Sequence, residues 1–97
     1  MTNYMIIRHS VEDFSVWKPA YDEHITARES AGLTEKHLLR DTDDANMITI
    51  IFEAEDLNRA KDFTNSEDLR EVMQKIGVGK PEFYFLNDNN ITTANAA

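Results

Sequence analysis

Met47 to Ala54, MITIIFEA, is a stretch that tolerates water on neither side. Its β-branched and aromatic content reads as a strand. Side chains alternate along a strand, which puts Ile48, Ile50, Phe52 and Ala54 on one face and Met47, Thr49 and Ile51 on the other. Two further stretches share this habit. Tyr4 to Val11, YMIIRHSV, sets Met5, Ile7 and His9 against Tyr4 and Ile6; Pro81 to Leu86, PEFYFL, sets Phe83 and Phe85 against Tyr84 and Leu86. A sheet with one wet face alternates apolar with polar residues. These strands do not, so both faces of their sheet need a cover.

The remaining segments say what is available. Asp13 is placed to cap a helix over the stretch to Gly32, DFSVWKPAYDEHITARESAG. Pro19 removes one amide from it, which predicts a loose first turn and a regular helix from about Trp17 to Ala31, with Gly32 as the left-handed terminator. Leu33 to Arg40 is a second strand, joined through DTDDAN to Met47–Ala54 as an antiparallel hairpin. A second helical region opens at Glu55-Asp56 and is interrupted at Thr64-Asn65. Ser66 caps its second piece, where Leu69, Val72, Met73 and Ile76 share one arc. Gly77 and Gly79 end it and Pro81 blocks continuation.

The order is β-α-β-β-α-β. The expected fold is α+β: a ferredoxin-like four-stranded antiparallel sheet with both helical regions on one face. One domain is expected over residues 1–88, followed by a polar tail over 89–97. Helices cover only one sheet face. Bare apolar surface of that extent is rare on a monomer, so the outer face is expected to meet the same face of a second copy in a two-fold homodimer.

Composition removes several function classes. The 97 residues carry a formal charge of −8, which disfavours nucleic acid and an anionic membrane surface as partners. There is no cysteine, so disulfides and thiolate chemistry are absent. No apolar run approaches the ~20 residues of a membrane span, and MTNYMIIRHS lacks the pattern of a secretory leader. The expected compartment is the cytoplasm.

The candidate site lies on the first helix. Ser15, Lys18, Asp22, Glu23, Thr26, Glu29 and Ser30 form a wet side, with Val16, Ala20, Ala27, Ala31, Phe14 and Ile25 flanking the other. At the centre of the buried face, where Leu or Val would be ordinary, stand Trp17, Tyr21, His24 and Arg28. Trp17 and Tyr21, with Phe14, would wall a pocket for a flat apolar ligand. His24 is the acid–base candidate, and Arg28 one turn on would keep it neutral. His9 would be a second polar contact if its side of the strand faces the helices. The alternative is a structural network, with His24 bonded to a strand side chain and Arg28 paired with a carboxylate such as Glu53. His9 and His24 are offset by about 10 Å along the helix axis, whereas zinc ligands lie about 2 Å from the ion, so no metal site is expected. Asp41, Asp43 and Asp44 read as a turn, since the Gly and distant Glu of an EF-hand are missing. Gly77-Val78-Gly79-Lys80 follows a helix and is no phosphate cradle.

Element order, length and the two-faced sheet resemble the dimeric α+β-barrel superfamily, which includes the antibiotic-biosynthesis monooxygenase-like domains. The segments RHSVEDFSVWKPAYDEHITAR and FTNSEDLREVMQKIGVGKPEFYFL resemble small bacterial members of that group. The resemblance implies two sheets closing a barrel across a dimer, with any pocket between each sheet and its own helices. It also implies a choice of chemistries: cofactor-independent oxygenation of polycyclic phenols, haem degradation, lactone isomerisation or polyketide cyclisation. The haem-degrading pattern needs an Asn on the first strand and a Trp and His in and after the second helical region. Here Ile7, Arg8 and His9 occupy the first place, and Asp56–Ile76 holds neither Trp nor His. Two readings therefore stand. One is a monooxygenase- or cyclase-like enzyme with no tightly held cofactor, acting on a small apolar or aromatic molecule. The other is a non-catalytic homodimer, either ligand-binding, stress-related or purely an association module.

Overall fold

In the computed structural model, which describes residues 2–88, the chain forms β1 (Asn3–Ser10), α1 (Phe14–Glu23), α2 (Ile25–Ser30), β2 (Leu33–Arg40), β3 (Met47–Ala54), α3 (Leu57–Thr64), α4 (Glu67–Lys75) and β4 (Glu82–Asn87). The strands make one antiparallel sheet in the order β2-β3-β1-β4, the ferredoxin-like arrangement. The polar tail expected over 89–97 lies outside the described residues. No helix among the described residues is long and apolar enough to cross a membrane.

Pairing fixes which side chains share a face. Met5, Ile7 and His9 stand opposite Phe52, Ile50 and Ile48, and all six are buried beneath the helices together with Leu33 and Ala54. Directly opposed residues on antiparallel strands point the same way, so His9 belongs to the helix side. The outer face carries the row His37, Ile51, Ile6 and Tyr84, flanked by Leu39 and Leu86. Leu39, Tyr84 and Leu86 are 48%, 43% and 46% exposed on this uncovered surface.

Strand β2 departs from simple alternation. Glu35 pairs with Phe52 and His37 with Ile51, which leaves Lys36 as the extra residue of a bulge. The bulge keeps Glu35 on the helix side while His37 takes the outer side, and Lys36 reaches Glu53 at 3.2 Å.

Capping follows the local sequence. Asp13 accepts from the Ser15 amide at 2.9 Å, Asp56 from Asn58 at 2.8 Å, and Ser66 from Leu69 at 3.3 Å. Gly32 and Gly77 both hold positive φ, 76° and 72°, where they terminate α2 and α4.

The first helical region differs from expectation. Its first turn is regular, with the Trp17 amide on the Asp13 carbonyl at 3.0 Å, and the break falls at His24 rather than near Pro19. Pro19 lies early enough in α1 that only the Ser15 carbonyl loses its partner. At His24 the ladder ends on the Tyr21 carbonyl, which accepts from the His24 amide at 3.1 Å and from Arg28 Nη1 at 2.6 Å. A side chain seven residues on thus caps α1. Arg28 keeps the buried face across the turn, whereas Ile25 and Ala27, expected to flank that face, are exposed. Val16 is exposed as well.

Candidate functional site

Four of the five predicted site residues form one stacked column. The His9 ring meets Trp17 edge-on, with centroids 5.6 Å apart and planes at 66°. Trp17 stacks on Tyr21 at 4.7 Å and 24°. The Arg28 guanidinium lies over the far face of Tyr21, 3.7 Å from the ring centroid. Residues 17, 21 and 28 meet because they recur at helical spacing on α1 and α2. His9 arrives from β1 at the height expected from the tight turn between them. Phe14 adds a branch at 5.7 Å from Trp17, and Arg40 covers its outer face at 3.9 Å. A guanidinium therefore caps each open end of the aromatic cluster, as the negative ring face favours.

The polar ends of the column are mostly satisfied from within. Tyr21 donates its hydroxyl to Glu35 Oε1 at 2.6 Å. Burial pushes the Tyr21 hydroxyl far above its ordinary titration range, and the bond to Glu35 adds to this, so Tyr21 stays a proton-bearing donor. Arg28, buried, spends one donor on the Tyr21 carbonyl. It makes no ion pair with Glu53, which pairs with Lys36 instead, so the carboxylate partner expected in the structural alternative is replaced by a backbone carbonyl. The physical reason is direction: Glu53 lies on the outer sheet face and Arg28 on the inner.

The two histidines exchange standing. His24 is half-buried at the turn between α1 and α2, and its imidazole has no hydrogen-bond partner among the described residues; the strand partner expected for it is not there. His9 is sealed, with Nδ1 3.2 Å from the Ser10 carbonyl oxygen. Burial lowers the His9 pKa against the opposing pull of that carbonyl, which keeps the ring neutral at neutral pH.

Between the column, the sheet and α4 lies a cavity of about 50 Å³ whose wall is almost wholly carbon. It touches Trp17, Tyr21, His9, His24 and Arg28, so all five predicted residues border it. Its roof is the apolar arc of α4 and its C-cap, Leu69, Val72, Met73 and Ile76. None of these α4 residues is fully buried. The volume holds a water or two, well short of the ~150 Å³ that admits benzene. On the far side of Met73 and Val78, a groove of about 300 Å³ opens beside Arg70 and Lys80.

Sequence reasoning missed two features. Glu35 joins the site only because the bulge at Lys36 keeps it on the inner side, and nothing in LTEKHLLR marks that bulge. An open groove of about 530 Å³ runs along the other side of Arg28, between α2 and the start of β2, with Asp22, Glu29, Glu35 and Glu55 in its wall. The acidic run along the wet side of the helix was its only signal.

The sequence matches no protein-family profile and no curated protein. The fold has many solved counterparts. A candidate antibiotic biosynthesis monooxygenase from Bordetella bronchiseptica superposes with a TM-score of 0.72 at 15% identity, covering 89% of this chain and 95% of that one. SnoaB, a cofactor-independent oxygenase from Streptomyces nogalater solved as a point mutant, gives 0.69 at 11% identity over 95% and 97%. A NIPSNAP family protein of unknown function from Agrobacterium tumefaciens gives 0.65 at 14% identity over 95% and 92%. The chain thus has the fold of the antibiotic biosynthesis monooxygenase-like proteins, as the resemblance in its sequence implies.

Proposed function

We propose that this chain is a homodimeric α+β-barrel protein whose pocket, one per copy beneath α4, receives a small apolar or aromatic molecule. The observation that carries this reading is the apolar cavity bordered by Trp17 and both inner histidines. Its present volume requires α4 to move outward on binding. Helix α4 is the element placed to move, since none of its residues is fully buried and its ends are a serine cap and a glycine. The outer sheet face, with Ile6, Ile51, Tyr84 and Leu86, supplies the apolar surface for the second copy. Monooxygenase- or cyclase-like turnover without a bound cofactor is the chemistry that the fold relative SnoaB makes reasonable.

A non-catalytic binding role is favoured by one specific observation. Tyr21 has committed its hydroxyl to Glu35 and Arg28 is held against the Tyr21 ring and carbonyl, which leaves His9 and His24 as the acid–base groups. Trp17 is the single tryptophan of the chain, so its emission reports directly on the cavity. Titration with indole, 1-naphthol and 1,4-naphthoquinone is expected to quench or shift that emission saturably. Dioxygen uptake with the naphthol then separates turnover from binding. No saturable change with any of the three would sink the pocket.

A further inference from the structure

His9 is the member of the column that carries a buried, unpaired acceptor; Trp17 and Arg28 offer only donors. The His9 residue is only 4% exposed, and Nδ1 faces the Ser10 carbonyl oxygen at 3.2 Å. A carbonyl only accepts, so Nδ1 carries the proton and the neutral ring leaves Nε2 as a bare acceptor. No donor among the described residues reaches Nε2. Trp17 meets the ring through aromatic contact alone, and Tyr21 has committed its hydroxyl to Glu35. Buried polar atoms are almost always paired, and an unpaired one calls for an explanation. The ring borders the cavity under α4, whose wall is otherwise nearly all carbon and contains no carboxylate.

We propose that His9 is the specificity determinant of this pocket: its Nε2 selects, among small aromatic molecules, those that present one hydrogen-bond donor, an aromatic O–H or a ring N–H, in neutral form. The inference rests on reading the cavity as a ligand pocket, and it adds what the ligand must carry. A donor-free ring would displace water from the apolar space beside Nε2 and leave that nitrogen unpaired, which is how a site rejects an analogue lacking one polar group. An ionised ligand would surrender its hydration to a carbon wall. Selection of this kind leaves shape to the Trp17 ring and the α4 arc and gives the deciding acceptor to the buried His9, since His24 is only half-buried.

Phenol and toluene, matched in size and differing by one donor, test the assignment by calorimetric or NMR titration of the intact protein. Wild type is expected to bind phenol about tenfold more tightly than toluene. His9→Phe is expected to bind the two equally while keeping its affinity for toluene. Should that variant fail to fold, the imidazole ¹⁵N spectrum of the wild type carries the test. Nε2 is expected to resonate as an unprotonated nitrogen in the free protein and to move upfield with phenol but not with toluene. Equal affinities in the wild type, a protonated Nε2 in the free protein, or an Nε2 resonance unmoved by bound phenol overturns the role of His9 alone. Binding of neither compound overturns the pocket itself, and this inference with it.

Discussion

Replacing Trp17 by alanine removes the centre of the column. Trp17 is 2% exposed and touches three rings, at 5.6 Å to His9, 5.7 Å to Phe14 and 4.7 Å to Tyr21. An indole buries on the order of 150–250 Å², and at about 25 cal/mol per Å² that amounts to roughly 4–6 kcal/mol, an upper bound for a chain that is not fully extended when unfolded. Measured Trp-to-Ala losses in cores run at about 3–5 kcal/mol, and about 4 kcal/mol is the expected value here. A 97-residue chain has about 5–15 kcal/mol in total. The variant therefore folds, but with a urea midpoint lowered by about 2 M at a slope of about 2 kcal/mol per M. Far-UV circular dichroism at a fixed chain concentration reads the transition. The hole left behind adjoins the existing cavity of about 50 Å³, so free indole should re-enter it. At a hundred times its dissociation constant indole returns about 2.7 kcal/mol. A loss below about 1.5 kcal/mol, or no recovery with indole, would refute the claim that the column is a rigid packed unit.

Two more outcomes follow from the same packing. His9 has a lowered pKa from burial, so the unfolded chain takes up a proton near pH 6.5 that the folded chain refuses. The groups bordering its cavity are Tyr21, His24 and Arg28, with no carboxylate to stabilise an imidazolium. Stability is thus expected to fall as pH drops below about 6.5, with urea midpoints at about pH 8 and pH 5.5 as the readout and His9→Phe abolishing the slope. The Asp13 and Asp41 carboxyls are held low by the Ser15 hydroxyl and the Arg8 guanidinium, so their losses belong to a more acidic range. Ile6 sits at the centre of the outer face between Ile51 and Tyr84. Light scattering is expected to give twice the 11.2 kDa chain mass for wild type and the single mass for Ile6→Glu; a wild-type monomer would end the sheet-pairing argument.

Much of this architecture is legible in the residues because it depends on short-range rules. Strand parity in MITIIFEA assigns Ile48, Ile50 and Phe52 to the core. Ser66 announces the start of α4. The gathering of Trp17, Tyr21 and Arg28 follows from their helical spacing. What stayed hidden depends on distant partners. Parity alone left the side of His9 open, and only its pairing with Ile48 decides it. The break at His24 arises when Arg28 reaches back to the Tyr21 carbonyl, an interaction no local propensity encodes. Cavity size is set by how four half-buried side chains of α4 settle on the column, which spacing does not express. The exchange of roles between His24 and His9 follows from these two facts together.

The bulge in β2 gives the chain a form of reading frame. Leu33 and Glu35 precede the extra residue and face the helices; His37 follows it and faces outward, as does Leu39. Deleting Lys36 would keep both sides in frame, but drawing it into regular pairing would abolish the bulge, and the frame could then be correct on only one side of Lys36. If pairing beyond it held, Glu35 would leave Tyr21 and Leu33 would turn out of the core. If pairing before it held, Leu38 would turn outward and His37 and Leu39 would exchange the outer face for the inner. One unpaired residue thus couples the polar end of the aromatic column to the composition of the opposite sheet face, two surfaces that share no side chain.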